Sequence, residues 1–565
     1  MWRMLAALAL LVFSGSISMA SPELTEAARK WVLDHEARIK PLEIEAGIAW
    51  WEANTTGKPE DFARKEAAQN RIDQALGDKD NFAKLKDLLA RKAEIDDSDL
   101  RRCVELLYLQ YLEKQADPQI LKKMVTISNR VEKTFNTFRA KVDGKDMSEN
   151  EVRSVLKNSN DSLRRKQVWE ASKEVGKLLE SDLRELIKLR NEAAKSLGFP
   201  SFHALQLHLN EQDGDNILKL FDELDKLTKG PFQKAKNQID EALAKKCQIQ
   251  VDDLRPWHYH DPFFQESPAI FPTDLDGPFR RADILAICRD FYKGIGLPVD
   301  KVLARSDLYE KPGKSPHAFC TDIDRAGDVR VLANITPNEY WASTMLHELG
   351  HAVYSSLNMP MEMPYPLRGE AHILATEGIA MLFERFSRKS AFLEKMGVKL
   401  ENPSGFQEAA SRSLRYRLLI FSRWCQVMLR FEKAMYENPD ADLNALWWDL
   451  VEKYQGLKRP VGRNSPDYAT KIHIVSAPVY YHNYMMGELF ASQVHHALCK
   501  DLFPGLSPNS VIYCGDERVG KYFREKIFAK GRKLTWNELT RSATGRFLEP
   551  DSFAADFDEA KAVSK

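Results

Sequence analysis

Apolar residues recur three and four positions apart, between lysines, arginines and acids, over 24–52, 61–77, 80–93, 98–142, 149–197 and 214–246. That spacing lines one face of a helix and leaves the other to solvent, so it commits the first half of the chain to helices packed on helices. Helical spacing returns at 337 and runs to the end. Only residues 317–323 and 329–335, on either side of the turn-forming Asp324-Arg325-Ala326-Gly327-Asp328, read as a β-hairpin. Between 256 and 278 five prolines stand among many aromatics, starting at Pro256-Trp257-His258-Tyr259-His260. Proline fixes φ and removes a donor, so this segment reads as a loop, either packed on the surface or lining a cleft. The expected fold is mostly α, with one small antiparallel sheet.

Charge excludes two classes of function. The 82 Lys+Arg balance the 82 Asp+Glu, giving a sequence pI near 7.2, whereas nucleic-acid and membrane-surface proteins carry a basic footprint. Arg3, the apolar run 5–13 and the small-x-small ending Ser18-Met19-Ala20 form the three parts of a secretory signal over residues 1–20. No later run approaches the roughly 18 apolar residues of a membrane span. The mature chain, 21–565, is expected to be soluble and exported, to a periplasm or to the medium. Seven cysteines are few for this length. Cys499 and Cys514 bracket a loop bearing Pro504, Gly505 and Pro508, and read either as a local bridge or as two buried thiols on neighbouring elements.

The stretch that carries chemistry is Thr344-Met345-Leu346-His347-Glu348-Leu349-Gly350-His351. It is an H-E-x-x-H motif within a segment whose apolar residues have helical spacing. At about 100° per residue, His347 and His351 differ by about 40° and leave one face a turn apart. That suits two ligands of a zinc ion, with Glu348 beside them to accept a proton from a zinc-bound water acting as nucleophile. Catalytic zinc usually takes a third protein ligand. Glu377 is preferred, because it is embedded in apolar residues where an unpaired carboxylate is costly. Glu370, His372 and Glu384 are the alternatives.

With those residues in place, the sequence resembles the angiotensin-converting-enzyme family of zinc dipeptidyl carboxypeptidases, in a bacterial-type form. Trp447-Trp448-Asp449-Leu450-Val451-Glu452-Lys453-Tyr454-Gln455-Gly456 is similar to the family's W-W-x-L-x-x-K-Y-Q-G. Lys471-Ile472-His473-Ile474, then Pro478 and Tyr481-His482-Asn483-Tyr484, is similar to its K-x-H-I…P-Y-x-R-Y. His317-Ala318, Thr544-Gly545-Arg546, Trp169-Glu170 and Asn191-Glu192-Ala193-Ala194 extend the likeness. The resemblance is strongest over 315–550.

It implies an ellipsoid of helices, one peptidase domain whose two halves flank a deep cleft, with one zinc at the floor. It implies peptide substrates, dipeptides released from C-termini, and no membrane partner once the signal is removed. His473 and Tyr484 would donate hydrogen bonds to the oxyanion. His317 and the Ala318 main chain would bind the substrate backbone, and Lys471 and Tyr481 its C-terminal carboxylate. Cys499 and Cys514 would form the family's last disulfide.

Three departures qualify this. The glutamine that helps hold the carboxylate has no counterpart near 257–260. The arginines that bind activating chloride are replaced by Val451 and Asn483, so chloride is not expected to be required. The aspartate that supports a zinc histidine corresponds to Met381, leaving Glu384 or Glu370 to do so. A thimet-oligopeptidase-like endopeptidase and a catalytically silent peptide-binding homologue are the competing readings. The first usually carries another histidine where this chain has Tyr354, and the second would have lost His347, Glu348 or His351.

Overall fold

The computed structural model describes residues 20–268, 270 and 274–557. The export signal expected over 1–20 therefore lies outside the described residues, apart from Ala20. The architecture is mostly α, as the helical spacing requires. The helices begin where short polar side chains satisfy the first free amides: Ser21 accepts from Leu24, Asp213 from Asn216 and Asn338 from Trp341.

Two expected boundaries differ. The segment 98–142 is two helices, Ser98–Leu112 and Pro118–Thr137, separated where Asp117 caps a helix that opens on proline. It then ends in a strand, so among the described residues there are two small sheets and not one. Strand β1 (Ala140–Val142) pairs antiparallel with β2 (Lys145–Met147). Their turn is Asp143-Gly144, both at positive φ (53° and 74°), the backbone that a tight two-residue hairpin demands. The segment 149–197 likewise divides into helices Glu149–Asn158, Ser162–Lys173 and Val175–Ser196. The expected hairpin forms as β3 (Phe319–Asp322) and β4 (Val329–Leu332), with Phe319 opposite Leu332. It is shorter than its sequence signal.

Three helices make the centre of the main core: the motif helix Glu339–Tyr354, the carboxylate helix Ile373–Glu384 and the helix Tyr481–Leu502. Glycine sets how closely they approach. A Cβ on Gly350 would lie 2.8 Å from the Ala380 Cα, and one on Gly378 would lie 2.7 Å from the Gly487 carbonyl oxygen. Neither contact has room for a side chain. The first helices bury a separate core through Ala28, Val32, Ile39, Leu107 and Tyr111. A cavity of about 1470 Å³ opens between helix Gly214–Cys247 and the first half of helix Pro403–Glu437. Its walls include Leu382 and Arg385 of the central region.

Cys499 and Cys514 do not form the bridge expected of them; both are free thiols. The Cys499 Sγ is buried 3.7 Å from His495 Nε2. Burial pushes the Cys499 thiol up to about 12 and the Cys514 thiol to about 11, so both stay protonated at neutral pH. Among the described residues no helix is long and apolar enough to cross a membrane.

Candidate metal and peptide site

The i, i+4 spacing of the motif helix brings the two imidazoles together, with His351 Nε2 3.2 Å from His347 Nε2. The carboxylate helix crosses beside them at Gly350 and delivers Glu377, whose Oε2 lies 3.6 Å from His347 Nε2 and 4.0 Å from His351 Nε2. One donor atom from each of these three residues lies within 4.8 Å of the others.

The arrangement fits a metal ion. His347 Nδ1 donates to Glu384 Oε2 at 2.8 Å, which turns its Nε2 towards the other ring. His351 Nδ1 is held at 2.7 Å by Thr376 Oγ1. Two inward-facing ring nitrogens and a carboxylate oxygen make a donor set for a cation, and the surrounding carboxylates favour positive charge there: against burial, Glu384, Glu348 and Glu377 raise the His347 pKa to about 9. The alternatives for the third ligand have other places. Glu384 is taken by His347 and by Arg417, which donates to its Oε1 at 2.7 Å. His372 caps the carboxylate helix, accepting from the Leu374 amide at 3.1 Å. Glu370 is outside the three-residue group.

Glu348 is buried, at 7% exposure. Burial raises its carboxyl pKa to about 7, His347 and the Cys320 amide of β3 opposing the rise and Glu377 adding to it. A carboxyl near neutrality can both take and return a proton. The hairpin is thus beside the motif, and its lead-in carries the exposed His317 and half-buried Ala318.

His473 opens the short helix His473–Ser476, its ring 5.3 Å from that of Tyr481. Burial, with Lys471 adding to it, pushes His473 down to about 4, so at neutral pH it is an uncharged donor. The Tyr484 ring packs against Tyr480 at 5.1 Å and Tyr481 at 5.5 Å. Both Tyr480 and Tyr484 lie in the field of Glu377, which reinforces the larger effect of burial in raising their hydroxyl pKa values.

Lys471 and Tyr481 converge on a residue the sequence reading missed. Gln265 Oε1 accepts from Lys471 Nζ at 2.7 Å and from the Tyr481 hydroxyl at 3.3 Å. The proline-rich segment was open to a cleft-lining role, but nothing in its spacing singled out Gln265. Thr376 and Arg417 were missed as well. Only the position of Thr376, next to Glu377, hinted at it. At the two places where the resemblance set Val451 and Asn483 against arginines, Val451 is buried and Asn483 Oδ1 accepts from Gln212 Nε2 at 2.6 Å.

A family model described as angiotensin-converting enzyme matches residues 22–229 and 278–548. The angiotensin-converting enzyme of Theromyzon tessulatum is 21% identical over 431 residues, which is 70% of this chain and 68% of that protein. The angiotensin-converting enzyme-like protein Ace3 of Mus musculus is 21% identical over 522 residues, 84% of this chain and 69% of its own. The angiotensin-converting enzyme of Mesocricetus auratus is 25% identical over 280 residues, 47% of this chain, but the match spans only 20% of that relative's length. The two matched segments make up most of the chain and contain the His347, His351 and Glu377 group, and the chain belongs to the angiotensin-converting enzyme family of metallopeptidases.

Proposed function

We propose that this protein is an exported zinc peptidase that removes dipeptides from the free C-termini of short peptides. The observation that carries the finer part is the meeting of Gln265, Lys471 and Tyr481. It gathers an ammonium, a phenol and an amide, the donors that grip a terminal carboxylate. Gln265 accepts from Lys471 and Tyr481 here, and rotation of its amide would turn the NH₂ towards an incoming carboxylate. Export rests on Arg3, the apolar run 5–13 and the small residues at 18–20.

His347, His351 and Glu377 would hold the zinc. When bound, zinc supplies the Lewis acidity that makes water nucleophilic at neutral pH. Glu348 would take the proton of the attacking water and return it to the leaving amine. The neutral His473 and Tyr484 would donate to the oxyanion that develops on the scissile carbonyl. His317 and the Ala318 main chain would extend the substrate along β3 as an added strand. Each group acts at an atom that changes charge or needs fixing in place.

The test is mass spectrometry of products from matched peptides with free and amidated C-termini, with and without a chelator. Stepwise loss of dipeptides from the free termini alone, abolished by chelation, is the expected result. Internal cleavage of both substrates at similar rates would replace this reading with an endopeptidase.

A further inference from the structure

Gln265 lies in the stretch 230–277, which the family match leaves out. Its placement must therefore be explained from this chain's own contacts. Residues 261–266 form no helix or strand, and an unrestrained loop would not hold an amide within hydrogen-bond distance of Lys471.

Three side chains hold this loop by its backbone. Asp261 is 2% exposed, and its carboxylate accepts from the amides of Phe263 at 2.8 Å, Gln265 at 3.1 Å and Glu266 at 3.1 Å. Among the described residues it has no ion-pair partner within 4.0 Å, so these three amides are what balance its burial. From the opposite side Gln455, which is fully buried, donates one NH₂ to two carbonyls, Phe263 at 3.0 Å and Phe264 at 2.8 Å. Trp169 Nε1 donates to the Pro262 carbonyl at 3.3 Å.

The loop is also strained. Phe264 has φ of +51° and His260 of +69°, values that favour glycine. Such a backbone persists only where its surroundings over-determine it, and this is where strain accompanies function. The Phe264 ring is buried against Tyr259, with ring centroids 4.6 Å apart. The Phe263 ring turns the other way, between Lys173 Nζ at 3.6 Å and Lys471 Nζ at 5.2 Å.

We propose that Asp261 and Gln455 are positioning residues for the carboxylate site: by fixing the amides and carbonyls of 263–266 they present Gln265 to Lys471 and Tyr481. Neither touches the bound peptide: Gln455 acts through Gln265, and Asp261 through Gln265 and, by its charge, on Lys471. This rests on the reading that the enzyme recognises a free C-terminal carboxylate.

The experiment compares kcat and KM for a matched pair of peptides, one with a free C-terminus and one amidated, in the full-length protein. The variants are Asp261→Asn, Gln455→Met, Gln265→Ala and the two double combinations with Gln265→Ala. Asp261→Asn and Gln455→Met approach the loop from different elements, so either one suffices if the other fails to fold. Each is expected to reduce the preference for the free carboxylate by about ten- to hundredfold, chiefly through KM, as displacement of a positioned group does. Kinetics on the amide should change little, and Gln455→Met, which leaves the charges around Lys471 in place, should not add to the loss from Gln265→Ala.

An equal loss on both peptides, or a Gln455→Met loss that multiplies with that of Gln265→Ala, would make Asp261 and Gln455 merely structural and overturn the proposal alone. A wild-type protein that does not distinguish the two peptides would overturn the reading beneath it, and the proposal with it.

Discussion

Glu384 takes the Nδ1 hydrogen of His347 at 2.8 Å, seven residues after Glu377 and one turn beyond Met381. The carboxylate that fixes this ring is itself paired with a cation: Arg417 holds its other oxygen, so together with His347 it keeps the Glu384 carboxyl ionised despite burial. Groups of this kind orient a ligating ring and raise its basicity, and losing one typically weakens metal binding about 10- to 100-fold. Glu384→Gln is therefore expected to weaken zinc by about that factor, and Thr376→Val at His351 by less, since it removes a neutral partner. Chelator competition on the purified protein reads both. Unchanged zinc affinity in Glu384→Gln would leave the pair with a packing role only.

Substitution of Glu377 by Gln should release zinc, whereas Glu370→Gln should retain it. Among the described residues only Glu377 puts an oxygen within 4.0 Å of both histidines. Metal content per chain after dialysis decides the ranking, and the reverse order would transfer the ligand role to Glu370.

What could be read from the sequence was local. Two histidines four apart on a helix must share a face, so His347 and His351 followed from spacing alone. Glu377 followed from the cost of a carboxylate among Ala375, Ile379 and Ala380. Asp143-Gly144 was legible as a hairpin turn and was overridden by the helical pattern around it, which swallowed β1. Gln265 was not legible, because its role depends on Lys471, more than two hundred residues away, and on a loop shaped by Asp261 and Gln455. The Cys499–Cys514 bridge was read from the short loop between them and from resemblance, and neither fixes the side-chain environment that leaves both thiols free here.

Glu348→Gln should abolish turnover while zinc stays bound. Glu348 is next to a ligand but outside the group of converging donor atoms, and its proposed part is proton transfer. Loss of a general base typically costs about 10²–10⁴ in rate. Single-turnover rate and metal content, measured on one preparation, separate the two effects. Near-normal kcat in this variant would refute the assignment.

Alkaline pH should weaken binding at the carboxylate site. Burial lowers the Lys471 pKa to about 8; Asp261 and, more weakly, Cys425 and Glu266 oppose that fall, and Arg153 adds to it. Below that value the ammonium is charged and can hold a carboxylate. Above it the charge is lost, so KM for an N-blocked peptide with a free C-terminus should rise by up to about tenfold per pH unit. The amidated peptide should show no such rise, and Lys471→Arg should remove the pH dependence because arginine stays protonated. A KM that is flat from pH 7 to 9.5 for the free-acid peptide would exclude Lys471 from carboxylate binding.

Activity should be nearly independent of chloride. An anion taken from water needs fixed positive charge or several donors to replace its hydration. Val451 offers neither. Asn483 offers one uncharged NH₂ and no positive charge: its Oδ1 accepts from Gln212 Nε2 at 2.6 Å, and the Gln212 Oε1 is paired with His482 Nε2 at 2.8 Å. Protonation of His482 could in principle restore a cation there. Burial pushes its pKa down to about 3, with His203 and His372 reinforcing the fall, so the ring is uncharged across the working range. What remains beside Tyr484 is therefore a neutral amide and imidazole network that orders this part of the helix without an anion. The measurement is kcat/KM in chloride against an inert anion at equal ionic strength near pH 7.5. A ratio near one is expected. Activation of about tenfold, worth roughly 1.4 kcal/mol, would point to Lys173, whose hydrogen bond goes to the Thr470 hydroxyl at 3.2 Å and whose pKa burial lowers to about 7, as an amine that a bound anion holds protonated. Lys173→Met should then abolish the activation while leaving the chloride-free rate in place.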